Sequence, residues 1–313
     1  MTVLLLVIPL SVFASVRTGG GGSNPSAPCR GTFTLEEVFS VGLSSSWGLA
    51  IQDNVPYSIW ISSWSDLINT EFDMYTGSQT GSTWDITDDI DPDDQGYGEY
   101  SGGNQWFFGD WTFSNIGVFE EDGTYLKSIA GPGGDWLVVA GVAPGPEHDM
   151  LYCSDFHAGE IAWGPYTGTE SNVSWTTETY ASVSGMSVWG DYLFICCQIS
   201  DADNVFIHEI NSDGSVDMFP VWSGQFILED MIVAGGIDYD GTYLWLYPQS
   251  TSLYKLSIDW SPGALDNATW GRIKAGINKR GRRNIISDTI INRTVSVPGS
   301  EFISLGKTIS SRT

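Results

Sequence analysis

Apolar residues along this chain fall in short runs of strand length, separated by turn formers, and one pattern recurs. Trp60 (SIWIS), Trp106 (NQWFFG), Tyr152 (MLYCS), Phe194 (YLFICC) and Trp245 (YLWLY) each sit inside such a run, 46, 46, 42 and 51 residues apart. A second column holds Gly77, Gly123, Gly168, Gly214 and Gly263, preceded by Thr, Asp, Thr, Asp and Pro, residues that favour turns before Gly. A third column, Gly48, Gly96, Gly141, Gly185 and Gly236, precedes each aromatic by 9 to 12 residues. No long stretch carries helical periodicity, so every element is expected to be a strand.

Within one period there is room for four short strands. In the fourth copy the pattern predicts strands over Gly185–Trp189, Tyr192–Cys196, Asn204–Ile210 and Ser215–Phe219, with Asp213-Gly214 as the tight hairpin before the last. A single four-stranded sheet cannot bury both faces alone. Copies packed radially bury each other's faces, and a closed ring leaves no exposed end, which is the arithmetic of a β-propeller. The segment Phe33–Val41 (FTLEEVFSV) reads as a strand ahead of the first copy, while the fifth copy lacks an outer strand after Gly263. The N-terminal strand is therefore expected to complete the fifth blade. This predicts five blades over residues 30–265, with six as the alternative if residues 266–313 held another copy.

The order Gly-apolar-x-apolar, Leu/Ile-aromatic-apolar, then Thr/Asp-Gly resembles secreted bacterial propellers of the NHL, quinoprotein and lyase-like types. The resemblance covers residues 30–265. It implies the fold and leaves activity open, because propellers carry many unrelated functions.

Charge divides the chain. The formal net charge is −25. Residues 1–271 hold 36 acids and 4 bases, whereas residues 272–313 hold 9 bases and 2 acids. The acidic part would repel a phosphate backbone, which argues against nucleic acid as a partner. Val3 to Ala14 (VLLLVIPLSVFA) is too short to span a bilayer and reads as the apolar core of an export signal, cleaved after Ala14. Residues 15–29 then form a Gly- and Ser-rich linker. The expectation is a secreted or cell-surface protein that does not span the membrane and is monomeric. Residues 266–313 begin with DNATWGRIKA, which resembles the junction ahead of the sorting domain in type IX secretion cargo, though too few residues follow for such a domain. The basic run Lys279-Arg280-Gly281-Arg282-Arg283 is either a docking arm for anionic surfaces or a disordered or truncated tail.

In a propeller, loops between second and third strands and loops between consecutive blades meet at one mouth of the channel. The first set supplies Trp64, Asp110, Trp111, Asp155, Phe156 and His157; the second supplies Trp47, the run Asp88–Asp94 (DDIDPDD) and Trp136. Indole faces stack on the C–H faces of sugars and carboxylates accept from hydroxyls. Trp47, Trp64, Asp110, Trp111, Trp136, Asp155 and His157 are therefore the candidate ligand-binding residues, with a glycan favoured and a surface protein as the other partner class. The competing reading is inter-blade packing and a solvated acidic surface. Asp89, Asp91 and Asp93 have the oxygen density for Ca²⁺ without the EF-hand spacing; no other cofactor is expected. Three His make a transition-metal site improbable. A paired-carboxylate hydrolase or lyase would draw on Glu99, Asp238 and Asp240, on or near inner strands, although Asp240-Gly241 also fits a simple turn. Cys153 and Cys196 fall in second strands of adjacent copies and could face each other, as a bridge or as buried thiols. The leading functional reading is a non-catalytic exported binding module. A carbohydrate-active enzyme and a structural surface protein are the alternatives.

Overall fold

The computed structural model describes residues 29–260, apart from 44, 53–56, 88–89, 101–102, 113–114, 132–137, 158, 167–172, 176–179, 181, 200–201, 218, 228–234 and 250. The apolar run read as an export signal, most of the expected linker and the basic tail lie outside the described residues, as do Trp136 and Asp89. Two strands precede the first full sheet: β1 (Cys29–Arg30) and β2 (Phe33–Ser40). Blade 1 is β3 (Ser46–Gln52), β4 (Ser58–Ser63), β5 (Ile68–Asp73) and β6 (Gln79–Asp85). Blade 2 is β7 (Pro92–Tyr100), β8 (Gly103–Asp110), β9 (Asn115–Glu120) and β10 (Tyr125–Ala130). Blade 3 is β11 (Val142–Gly145), β12 (Met150–Asp155), β13 (Glu160–Pro165) and β14 (Val173–Trp175). Blade 4 is β15 (Val183–Trp189), β16 (Tyr192–Cys197), β17 (Val205–Glu209) and β18 (Trp222–Gly224). Blade 5 is β19 (Gly236–Tyr239), β20 (Leu244–Tyr247) and β21 (Ser252–Ile258), completed by β2. No helix occurs among the described residues, and so none there is long and apolar enough to cross a membrane.

The ring closes as expected. β2 pairs antiparallel with β21 from Phe33↔Ile258 to Ser40↔Ser252, and inner strand β19 lies against inner strand β3. The chain adds a second fastening: β1 runs parallel to β18, pairing Cys29 with Trp222, so residue 29 belongs to the sheet and not to the linker. Between the two pairings, Thr32 N–H donates to Asp259 Oδ1 at 2.9 Å, and the same oxygen accepts Trp222 Nε1–H at 2.9 Å. The Phe33 ring meets Trp222 edge-on at 5.3 Å. One N-terminal stretch therefore bridges blades 4 and 5.

Strand alternation distributes the core among the seams between blades. On β16, Phe194 and Cys196 face blade 5 while Leu193, Ile195 and Cys197 face blade 3. The same parity places Cys153 in the seam between blades 2 and 3. Cys153 and Cys196 thus point into different seams, and Cys153, Cys196 and Cys197 are buried thiols. The aromatic column falls on the second strand of every blade, but not in one phase. Trp60 faces blade 2, whereas Trp106 faces back toward blade 1, their rings 5.3 Å apart. In blade 2 it is Phe107 that faces onward to blade 3. The fourth copy also departs from expectation in its outer strand. Past Asp213-Gly214, Ile210↔Val216 is an isolated bridge, and the strand itself forms at Trp222–Gly224. Pro220 intervenes, and it has no N–H to donate to the ladder.

Inner strands approach closely because their glycines lack Cβ. A Cβ on Gly236 would stand 2.3 Å from both Leu49 N and Leu49 Cβ across the blade 5–blade 1 seam. Gly236→Ala is expected to destabilise by about 1–3 kcal/mol in urea unfolding, with Gly103→Ala, whose added Cβ would meet nothing and whose backbone is not left-handed, as the open-space comparison. A cost within experimental error would show that this seam has slack. Deleting residues 29–40 should abolish the cooperative thermal transition, since blade 5 then lacks its outer strand; an unchanged transition would mean that the ring holds without closure.

Candidate functional site

Four antiparallel strands per blade make every inner strand run the same way, so the starts of inner strands and the ends of second strands share one mouth. Trp47 lies at the start of β3. Its indole crosses toward blade 4 and donates Nε1–H to Ser184 O at 2.9 Å. Trp111 and Phe156 follow the ends of β8 and β12. Their rings are 5.1 Å apart, and Trp47 stands 5.9 Å from Trp111 and 6.0 Å from Phe156. His157 adds its ring 5.5 Å from Trp111. Three blades thus bring four rings together; Trp47, Trp111 and Phe156 are half-buried and His157 is exposed. Trp64, 46% exposed, shares the mouth but makes no ring contact among the described residues.

The acids next to these rings hold their loops. Asp110 and Asp155 are buried at the ends of their strands. Asp110 Oδ1 accepts the Thr112 N–H at 2.9 Å and Asp155 Oδ1 accepts the His157 N–H at 2.6 Å. Each closes an Asx turn that throws the following rings outward. Asp91, just ahead of β7 in the same blade, fastens the Trp111 loop, through its own carbonyl to Trp111 N–H at 2.9 Å and its carboxylate to Thr112 Oγ1 at 2.8 Å. Among the described residues, no three His, Cys, Asp or Glu side chains gather as a metal-binding group.

The candidate catalytic acids lie elsewhere. Asp240 takes the Thr242 and Tyr243 N–H groups on Oδ1 and Trp245 Nε1–H on Oδ2, all between 2.7 and 2.9 Å, which is the simple-turn reading. Asp238 Oδ2 accepts Ile51 N–H at 2.7 Å near the far end of β3, a link between blades 5 and 1. Glu99 is near the far end of β7. All three are at or near the mouth opposite the ring cluster.

Sequence reasoning treated Asp94 only as part of an acidic run. In the structure it is fully buried at the axis. Its Oδ2 accepts Met186 N–H at 2.8 Å and Val142 N–H at 3.3 Å, from inner strands of blades 4 and 3. Backbone N–H groups of Gln95 and Leu49 favour the charged form too, yet loss of water outweighs them and pushes the carboxyl well above the usual range. A folded-state pKa above the unfolded value means that stability falls as pH rises from about 4 toward the folded pKa, by at most about 1.4 kcal/mol per pH unit. Asp94→Asn should therefore gain stability relative to the parent as pH increases, read by urea unfolding from pH 4 to 8. Parallel curves would show that Asp94 is charged throughout that range.

No protein-family model and no curated protein matches the sequence. Solved structures that match include a catalytically inactive virginiamycin B lyase of Staphylococcus aureus with quinupristin (16% identity, 68% of this chain and 66% of that one, TM-score 0.42). A PQQ-bound aldose sugar dehydrogenase of Streptomyces coelicolor matches at 14% identity over 74% of this chain and 99% of that one, TM-score 0.45. A streptogramin B lyase matches at 11% identity over 72% and 98%, TM-score 0.42. Likenesses this distant say nothing about activity.

Proposed function

We propose that this propeller is an exported binding module whose ligand, a glycan, stacks on the platform of Trp47, Trp111, Phe156 and His157. The observation that carries the reading is the convergence of these rings, from three blades, at one mouth. Tryptophan faces gathered this way offer the flat apolar area that a pyranose ring covers, and the exposed His157 ring can exchange hydrogen bonds with hydroxyls. Export rests on the apolar run Val3–Ala14. Trp64 supplies a further ring at the same mouth for a second sugar unit.

Binding is favoured over hydrolysis by placement. Asp110 and Asp155 spend their described hydrogen bonds on loop amides, and Glu99 and Asp238 are at the opposite mouth from the rings. A glycan array with the purified chain should show binding without release of fragments. Trp111→Ala should weaken it at least tenfold, while Asp238→Asn should not change it. Fragment release, or binding indifferent to both Trp47→Ala and Trp111→Ala, would overturn the reading.

A further inference from the structure

The seam between blades 1 and 2 holds a group of buried polar atoms that have no hydrogen-bond partner among the described residues. Asp93 is 2% exposed, and neither of its carboxylate oxygens has a hydrogen-bond partner. Asn69 is 0% exposed, with both ends of its amide unpartnered. Gln95 donates Nε2–H to Trp60 O at 2.8 Å, which leaves its Oε1 buried and unpartnered. Trp84 Nε1 is in the same condition.

Ladder register and contacts place these residues together. Asn69 pairs directly with Ser62 on one side and Trp84 on the other, so the three side chains share one face of blade 1. That face looks at blade 2, because Ser62 Oγ donates to Asp93 O at 3.4 Å and the Trp84 ring packs against Trp106 and Phe119. The two backbones come close here: a Cβ on Gly48 would be 2.6 Å from Ser62 Oγ, 2.7 Å from Asp93 O and 2.8 Å from Gln95 N. The register of β7 shifts between Pro92 and Gln95, so Asp93 and Asp94 occupy a bulge.

The chemistry of the group is one-sided. Four acceptor oxygens (two of Asp93, one each of Asn69 and Gln95) stand against two donors, Asn69 Nδ2 and Trp84 Nε1. A proton on Asp93 would answer only one of the four, and burying a carboxylate without a counter-charge is costly. We propose that this seam binds a hard, oxygen-preferring cation, Ca²⁺ or Na⁺, through Asp93 with the side-chain oxygens of Asn69 and Gln95. Water completes the shell, as Ca²⁺ takes six to eight oxygens. Only one carboxylate is involved; the rest are amide oxygens. Neither end of the Asn69 amide is held by a partner, so its oxygen can turn to the ion. The site is distinct from the acidic loop Asp88–Asp91, and it does not depend on which ligand the mouth takes.

The test uses the full chain, stripped with EDTA. Calorimetric Tm is followed against Ca²⁺, Mg²⁺ and Na⁺ at fixed ionic strength, and Tb³⁺ is titrated with emission excited through tryptophan, for which Trp84 is the antenna. The expected result is a saturable rise in Tm with Ca²⁺ or Na⁺, and sensitised Tb³⁺ emission displaced by the same ion. Asp93→Asn should abolish both and Asn69→Ala should weaken affinity at least fivefold, while Asp213→Asn, in an exposed hairpin, should leave both unchanged. Cation binding that survives Asp93→Asn would overturn the proposal. So would the absence of any saturable effect, with Asp93→Asn stabilising equally in EDTA and in salt. If Asp93→Asn does not fold, the Tb³⁺ titration of the parent against Asn69→Ala decides: equal affinities overturn the proposal.

Discussion

A four-stranded sheet with two apolar faces has no stable existence on its own, and five of them in a row still leave one face open at each end. The pairing of β2 with β21 removes that defect. It completes blade 5 with a strand from the other terminus and brings blade 5 against blade 1, where Phe39, Val41 and Leu253 join Leu49, Ile59 and Trp245 in one buried cluster. The five seams then bury one another, and the radial position of every inner strand is set. Channel, mouth and seam chemistry all follow from this closure.

Closure also concentrates polar groups that a sheet would otherwise leave in water. Five inner strands meet around a narrow axis, and the Asp94 carboxylate bonds backbone amides of blades 3 and 4 there. Desolvation makes the charge of this carboxylate expensive, so a group that looks like surface acid in the sequence becomes an interior one. The seam between blades 1 and 2 is the second such place. It is crowded with Trp60, Trp84 and Trp106 because the second copy's aromatic is turned toward blade 1. The polar end of that seam holds Asp93, Asn69 and Gln95.

The mouth shows how a repeated turn can carry variable chemistry. Asp110 and Asp155 occupy equivalent places at the ends of second strands and cap equivalent turns. The residues just beyond, Trp111 in one blade and Phe156-His157 in the next, are free to differ because the cap fixes only the backbone. Trp47 reaches the same cluster from the start of blade 1, anchored on blade 4 by its indole N–H. Two caps and one cross-channel hydrogen bond thus hold the aromatic platform in place.

The sequence by itself determined the number of blades, the strand that closes them and the mouth where the rings gather. These depend on local signals repeated five times: turn glycines, strand-length apolar runs and the spacing between them. It also placed Trp47, Trp111 and His157 at that mouth, since the order of strands fixes which loops share an end. Tertiary structure decided the rest. A one-residue slip in phase, invisible in the spacing of 46, turned Trp106 toward blade 1 and left Phe107 to face blade 3. Strand parity sent Cys153 and Cys196 into different seams. Asp93 and Asp94 left the acidic run for the interior. Whether a carboxylate serves a turn, a strand or a cation depends on which neighbours exclude its water, and those neighbours come from other blades.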